Sequence, residues 1–288
     1  MKNFFLSGKI TLTACFILIW TLAGCDTTPT EIPVEDAAVA KSTETKIVTL
    51  GDKALVLANT LAADQSNVDI RGYAELDAAE VAFEKVATGK DDAQAKARLA
   101  DLLIRDEDSA LTRLFRVDPV NPIGKYVNAA IKMPRYNGIN IDQMAGKFGI
   151  YDVDAPVSVK TWRGWVTIRS AAHSVYAKVD EGDLNYFQTS CTNDNNAEFI
   201  LDKGAALLVP ARTTDPTKNL NGRLELTVED GSIKIQGLDI LSGQIVKRGS
   251  GEVFVGTIDR MGGVMRMTMK KGNVVVQSWD EYIKNGGK

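Results

Sequence analysis

Few residues in this chain could perform nucleophilic, acid–base or metal chemistry. There is one histidine, His173, and there are three cysteines, Cys15, Cys25 and Cys191. A catalytic thiol needs a neighbouring base, so Cys191 with His173 is the one such pair to weigh. The alternative is a small, partly buried cysteine without chemistry. This count is too low for a Cys/His zinc site, and no metal or cofactor is expected. No Gly-x-Ser-x-Gly elbow, Gly-Lys-Ser/Thr phosphate loop, His-Glu-x-x-His helix or dinucleotide glycine fingerprint occurs. Carboxylates are plentiful, so a paired-carboxylate hydrolase acting on the cell wall is the remaining enzymatic alternative. The clusters Asp180-Glu181-Gly182-Asp183-Leu184-Asn185 and Asn193-Asp194-Asn195-Asn196-Ala197-Glu198 offer oxygen ligands. Their spacing does not match a calcium loop, and hairpin turns use the same residue types. Among aromatics, Trp162-Arg163-Gly164-Trp165 stands out. An offset of three places the two indoles on opposite faces of a regular strand, one in the core and one exposed. Trp162, Trp165 and Tyr176 are therefore the candidate contacts for a ligand or partner.

The elements that must position these residues belong to a globular body. The 288 residues are 44% hydrophobic and 25% charged, with a formal net charge of −3. These fractions exclude wholesale disorder and a disulfide-rich miniature scaffold. The acidic balance argues against nucleic acid as a partner.

The N-terminus carries Lys2 and Lys9, then runs uncharged from Ile10 to Cys25. The apolar core of that run is shorter than the ~20 residues a membrane-spanning helix requires. A basic start, a short apolar region and a small-residue end form the pattern of a secretory signal peptide. Leu22-Ala23-Gly24-Cys25 resembles the lipobox of bacterial lipoproteins. The resemblance implies cleavage before Cys25 and lipidation of its sulfur and new amino group. It implies a lipid-anchored, periplasm-facing protein of the bacterial cell envelope, with the membrane as a partner. Asp26 resembles the inner-membrane retention signal of enteric lipoproteins, which favours the inner over the outer membrane. Losing Lys2 and Lys9 makes the body two charges more negative than the whole chain. Such a surface does not seek anionic lipid, so anchoring rests on the acyl chains.

Residues 25–45 lack large aromatics and read as a flexible tether, up to about 70 Å when extended. Residues 46–132 read as a helical domain. Ala54, Leu57, Ala58 and Leu61 recur at helical spacing, as do Ala79, Ala82, Phe83 and Val86. Asp91-Asp92 open a helix carrying Leu99, Leu102 and Leu103; further helices carry Leu111, Leu114 and Phe115, and Tyr126, Ala129 and Ala130. The joint after Phe83-Glu84-Lys85-Val86 has a counterpart about 30 residues on, after Phe115-Arg116-Val117. With Ala79-x-x-x-Phe83, this resembles tetratricopeptide helical repeats, which implies a concave face holding a protein. No Trp begins a repeat and the Leu-Gly pair is missing, so a small helical bundle fits equally.

Residues 133–156 read as a connector. From 157 to 288 the period becomes two: Leu224, Leu226 and Val228 alternate with charged residues, as do Met265, Met267 and Met269. Turn signals at Asp230-Gly231, Ser242-Gly243, Gly249-Ser250-Gly251, Gly262-Gly263 and Lys271-Gly272 predict an antiparallel meander forming a sandwich or barrel. The expected class is therefore α+β, helical hairpins followed by an antiparallel β-domain. The expected role is binding or scaffolding of a protein partner in the envelope, without catalysis. A lipid, glycan or other small ligand held by the β-domain is the alternative.

Overall fold

A computed structural model describes residues 38–59, 66–118, 123–143, 145–170, 174–215, 217–218 and 220–287. Every described residue belongs to one compact unit, Asp36–Lys288. Cys25, the lipobox and His173 lie outside the described residues.

The elements are β1 (Ala38–Thr49), β2 (Ala54–Asn59), β3 (Asn67–Tyr73), β4 (Ala78–Gly89), α1 (Asp92–Ala100), β5 (Leu103–Asp108), β6 (Thr112–Asp118), β7 (Lys125–Pro134), β8 (Ile139–Gln143), β9 (Ala145–Val153) and β10 (Val157–Ser170). They continue with β11 (Ser174–Gln188), β12 (Asn196–Val209), β13 (Asn221–Gln236), β14 (Ile240–Ser242), β15 (Val246–Arg248), β16 (Gly251–Asp259), β17 (Val264–Gln277) and α2 (Trp279–Lys284).

The long strands share one sequence pattern. In β10, Val157, Val159 and Thr161 are buried, Gly164 follows three residues later, and Val166 and Ile168 are buried beyond it. β11 repeats this with Val175, Val179, Gly182, Leu184 and Tyr186. β12, β13 and β17 repeat it around Gly204, Gly231 and Gly272. At each glycine the inward alternation changes phase, so the strand turns a corner and its second half enters another face. The corner glycines stack: Gly146, Gly164, Gly182 and Gly204 are successive partners in register, followed by Gly272 and Gly231. At Gly182 φ is +140°, and a Cβ would sit 1.8 Å from the Gly164 carbonyl oxygen. Only glycine tolerates both the backbone and the close approach.

Two parallel ladders result. The first face runs β6, β2, β8 and then the first halves of β10, β11, β12, β17 and β13. The second runs β7, β3, β9 and then the second halves of the same long strands. The faces pack against each other: the Tyr186 and Phe199 rings meet at 4.9 Å, and those of Phe83 and Phe115 at 5.4 Å. Burying each such ring contributes roughly 2–3 kcal/mol. This is a β-solenoid with its core between the faces.

Antiparallel strands flank the ladders. At one end β5 pairs with β6, β4 with β7, and β1 with β4. At the other, β16 pairs with β13 and carries β14 and β15. Chain order and ladder order differ near both ends. β2 and β3 lie inside β6 and β7, and β17 lies between β12 and β13.

This architecture overturns the α+β expectation. The described residues of 46–132 form no helical hairpin, so neither a tetratricopeptide-like repeat nor a small bundle is built from them. Ala79 and Phe83, four residues apart, share one side of a helix and equally one side of a strand. Long-range pairing with β1 and β7 selects the strand. The segments carrying Ala54–Ala58, Leu114–Phe115 and Tyr126–Ala130 are likewise β2, β6 and β7. Among the described residues of 46–132 only Asp92–Ala100 is helical, with the Asp91 carboxylate accepting from the Gln94 N–H. The tether reading fails from Ala38 onward, where β1 begins, and the connector 133–156 contains β8 and β9. The antiparallel meander is also corrected. Asp230-Gly231 and Lys271-Gly272 are corners within parallel strands rather than hairpin turns.

Candidate functional site

The outer surface of the second face carries a trough that crosses the strands. Its floor follows one register row: Ala82 of β4, Ala130 of β7, Asp69 of β3, Gly149 of β9 and Thr167 of β10. These are small or short side chains. The rows on either side carry long ones, because alternate strand residues point outward and the parallel register stacks them. One wall contains Glu84, Asn128, Asn67, Lys147, Trp165 and Asp183. The other contains Glu80, Lys132, Arg71 and Tyr151. Two adjoining depressions of about 310 and 410 Å³ occupy this trough and share Asp69.

Trp165 is 53% exposed, yet its orientation is held. Its indole Nε1–H donates to Asp183 Oδ2 at 2.6 Å, and Lys147 Nζ lies 5.1 Å from the ring centroid. Asp183 uses its other oxygen to accept the Ala205 backbone N–H at 3.1 Å. Tyr151 lies across Gly149, where any Cβ would meet the phenol ring at 2.7 Å. The Arg71 guanidinium stacks on that ring at 5.4 Å while its Nε holds Asp69 at 3.0 Å. Asn128 accepts the Asn67 N–H and donates to Glu84. Asp69, Asp183 and Glu80 balance Arg71, Lys132 and Lys147 along the lining, and Glu84 of the wall is paired with Lys41 at 3.0 Å. The result is a neutral, hydrogen-bonding channel with two fixed aromatic surfaces.

Of the aromatic residues expected at a site, only Trp165 enters the trough. Trp162 is also exposed, at 37%, so neither indole fills the core. Gly164 turns the corner between them, which removes the opposite-face geometry of a straight strand. The Trp162 ring instead packs 4.8 Å from the Arg163 guanidinium. Arg163 belongs to a ladder along the corners, where Glu181 also binds Lys203 at 2.8 Å. That Lys203 bond holds the Glu181 carboxyl below its ordinary range. Tyr176 lies on the first face, half-buried between Ser158 and Glu198 in register. The structure does not bring Tyr176 to the trough.

Tyr151, Lys147, Asn67 and Asp69 are trough residues that sequence reasoning missed. A signal existed: Lys147, Trp165 and Asp183 each follow a corner glycine, and Gly149, Thr167 and Asn185 lie two residues further on.

The oxygen-rich clusters have structural roles. Gly182 within the first forms a corner. Asn195 in the second is buried, donates to the Ser190 carbonyl and accepts from the Thr192 hydroxyl. No cluster of three or more potential metal ligands occurs among the described residues. Cys191 is partly buried and its thiol donates to the Arg260 carbonyl. Desolvation pushes the thiol pKa up, against smaller opposing effects from backbone groups and nearby cations.

Comparison of the sequence with known families finds no matching model, and comparison with curated proteins finds no match. Among solved structures, a candidate cell adhesion protein from Clostridium sporogenes is 11% identical, with 83% of this chain and 100% of that chain covered at a TM-score of 0.43. A candidate adhesin from Bacteroides fragilis is 11% identical, with 83% and 98% covered at a TM-score of 0.32. A candidate lipid-binding protein from Parabacteroides distasonis is 6% identical, with 82% and 96% covered at a TM-score of 0.21. Likeness of this degree assigns neither a family nor a ligand.

Proposed function

We propose that this protein is a binding module of the bacterial cell envelope, held to the membrane by lipid on Cys25, and that its trough grips an extended, uncharged glycan. One observation carries the ligand class: Trp165 and Tyr151 stand fixed in a charge-balanced lining beside a floor of small and short side chains. Aromatic faces suit the C–H surfaces of sugar rings. Carboxylates and amides held in place suit their hydroxyls. A charged polymer would meet as many repelling as attracting groups along this lining. The trough also crosses successive strands, so a chain of repeating units meets a new row every ~4.8 Å. A protein partner seated on a helical groove is no longer the favoured reading, because the described residues of 46–132 are strands with a single helix.

Isothermal titration calorimetry with neutral oligosaccharides tests the glycan reading. Trp165→Ala and Tyr151→Ala are each expected to weaken binding about tenfold, the scale of one aromatic contact. Circular dichroism should stay unchanged, since Trp165 is exposed. Binding that survives both substitutions, or that appears only with charged polymers and fades with salt, overturns it.

A further inference from the structure

The free edges of the first face are complementary to each other. β5 pairs with β6 on one side and has no strand on the other among the described residues. β15 likewise pairs only with β16. We propose that a second copy of this chain adds to this face head to tail, the β5 edge of one copy against the β15 edge of the next.

Three observations select this occupant. The first is direction. β5 runs opposite to the parallel ladder, and β15, antiparallel to β16, runs with it. Two copies stacked in the same orientation therefore bring β5 and β15 together as an antiparallel pair, which can close a hydrogen-bonded ladder. The second is charge. On β5, Asp106 is held by Arg113 and Lys46, and Asp108 by Lys53 and Arg113. Glu107 is exposed and has no ion pair among the described residues. On β15, Lys247 and Arg248 are exposed and also lack one among the described residues. Pairing β5 with β15 sets Glu107 against these cations, whereas β15 against another β15 would gather like charges. The third is apolar exposure at both edges. Leu103 and Leu111 are 54% and 79% exposed beside β5, and Leu241, Ile245 and Val246 are 56%, 41% and 46% exposed beside β15. Paired apolar rims of this kind mark association surfaces. The second face offers no equivalent join, because the Glu252 carboxylate already accepts the Ile233 N–H at the β13 edge.

A join between two different edges does not close on itself, so it builds short linear arrays. Sedimentation velocity of the full chain in a small-micelle detergent reads this directly. Mass should rise with protein concentration, and salt should weaken association. Lys247→Glu/Arg248→Glu and Glu107→Arg should each weaken self-association about tenfold or more. Mixed together, the two variants should associate again, because each retains the edge the other has lost and the two reversed edges also carry opposite charges. A native chain that stays monomeric at every concentration overturns the proposal. So does self-association that persists in either variant, since that would be edge pairing like to like.

Discussion

Trp165 shows how a residue acquires a role from its neighbours. An indole on a strand is ordinarily a packing group. Here the Asp183 hydrogen bond and the Lys147 ammonium fix an exposed ring in one orientation. A fixed ring loses less conformational entropy on binding than a mobile one. Cys191 shows the reverse, a reactive type made quiet. Its partly buried thiol has a raised pKa, so less thiolate is present at neutral pH than for a free cysteine. Labelling by a thiol-specific reagent is therefore expected to be slow at pH 7. It should accelerate only above the ordinary thiol range, or at once in denaturant. Labelling as fast as a free cysteine in the folded protein would contradict this. The residue types of Trp165 and Cys191 were legible in the sequence; the neighbours that define them come from segments 18 or more positions away.

At the scale of elements, the corner glycines decide the architecture. Each lets a strand turn from one face to the other while carrying its neighbours' carbonyls within van der Waals reach of its own Cα. Gly182→Ala places a methyl on the Gly164 carbonyl and forces a φ that alanine avoids. The variant is expected to lose about 3 kcal/mol or more of stability, read from the midpoint of chemical denaturation. An unchanged midpoint would show that the corner has room to relax. The same corners explain why a meander was expected from 157 onward. An Asp-Gly or Lys-Gly pair between alternating runs signals a hairpin or a corner with the same letters. The helical reading of 46–132 fails for a related reason. Alanine and leucine at offsets of four satisfy both periods, and the choice belongs to pairing partners distant in sequence.

For the whole molecule, location and shape are separate problems. The anchor proposed at Cys25 predicts that Cys25→Ala moves the protein from the membrane fraction to the aqueous fraction, checked by detergent partitioning and immunoblot. Acylation supplies roughly 0.8 kcal/mol per buried methylene, and the acidic body offers nothing comparable. Retention of the variant in the membrane would refute the lipobox. By itself the sequence established an acidic globular body, a lipobox-like N-terminus, period-two strands beyond residue 157 and the absence of familiar catalytic motifs, because these are local in the chain. Tertiary structure alone decided that nearly all the body is strand, that the ladders are parallel, that β17 lies between β12 and β13, and that Tyr151 and Trp165 wall one trough. The physical reason is that a strand's hydrogen bonds lie on other strands, so its partners, its direction and the outward row it completes are fixed only when distant segments meet.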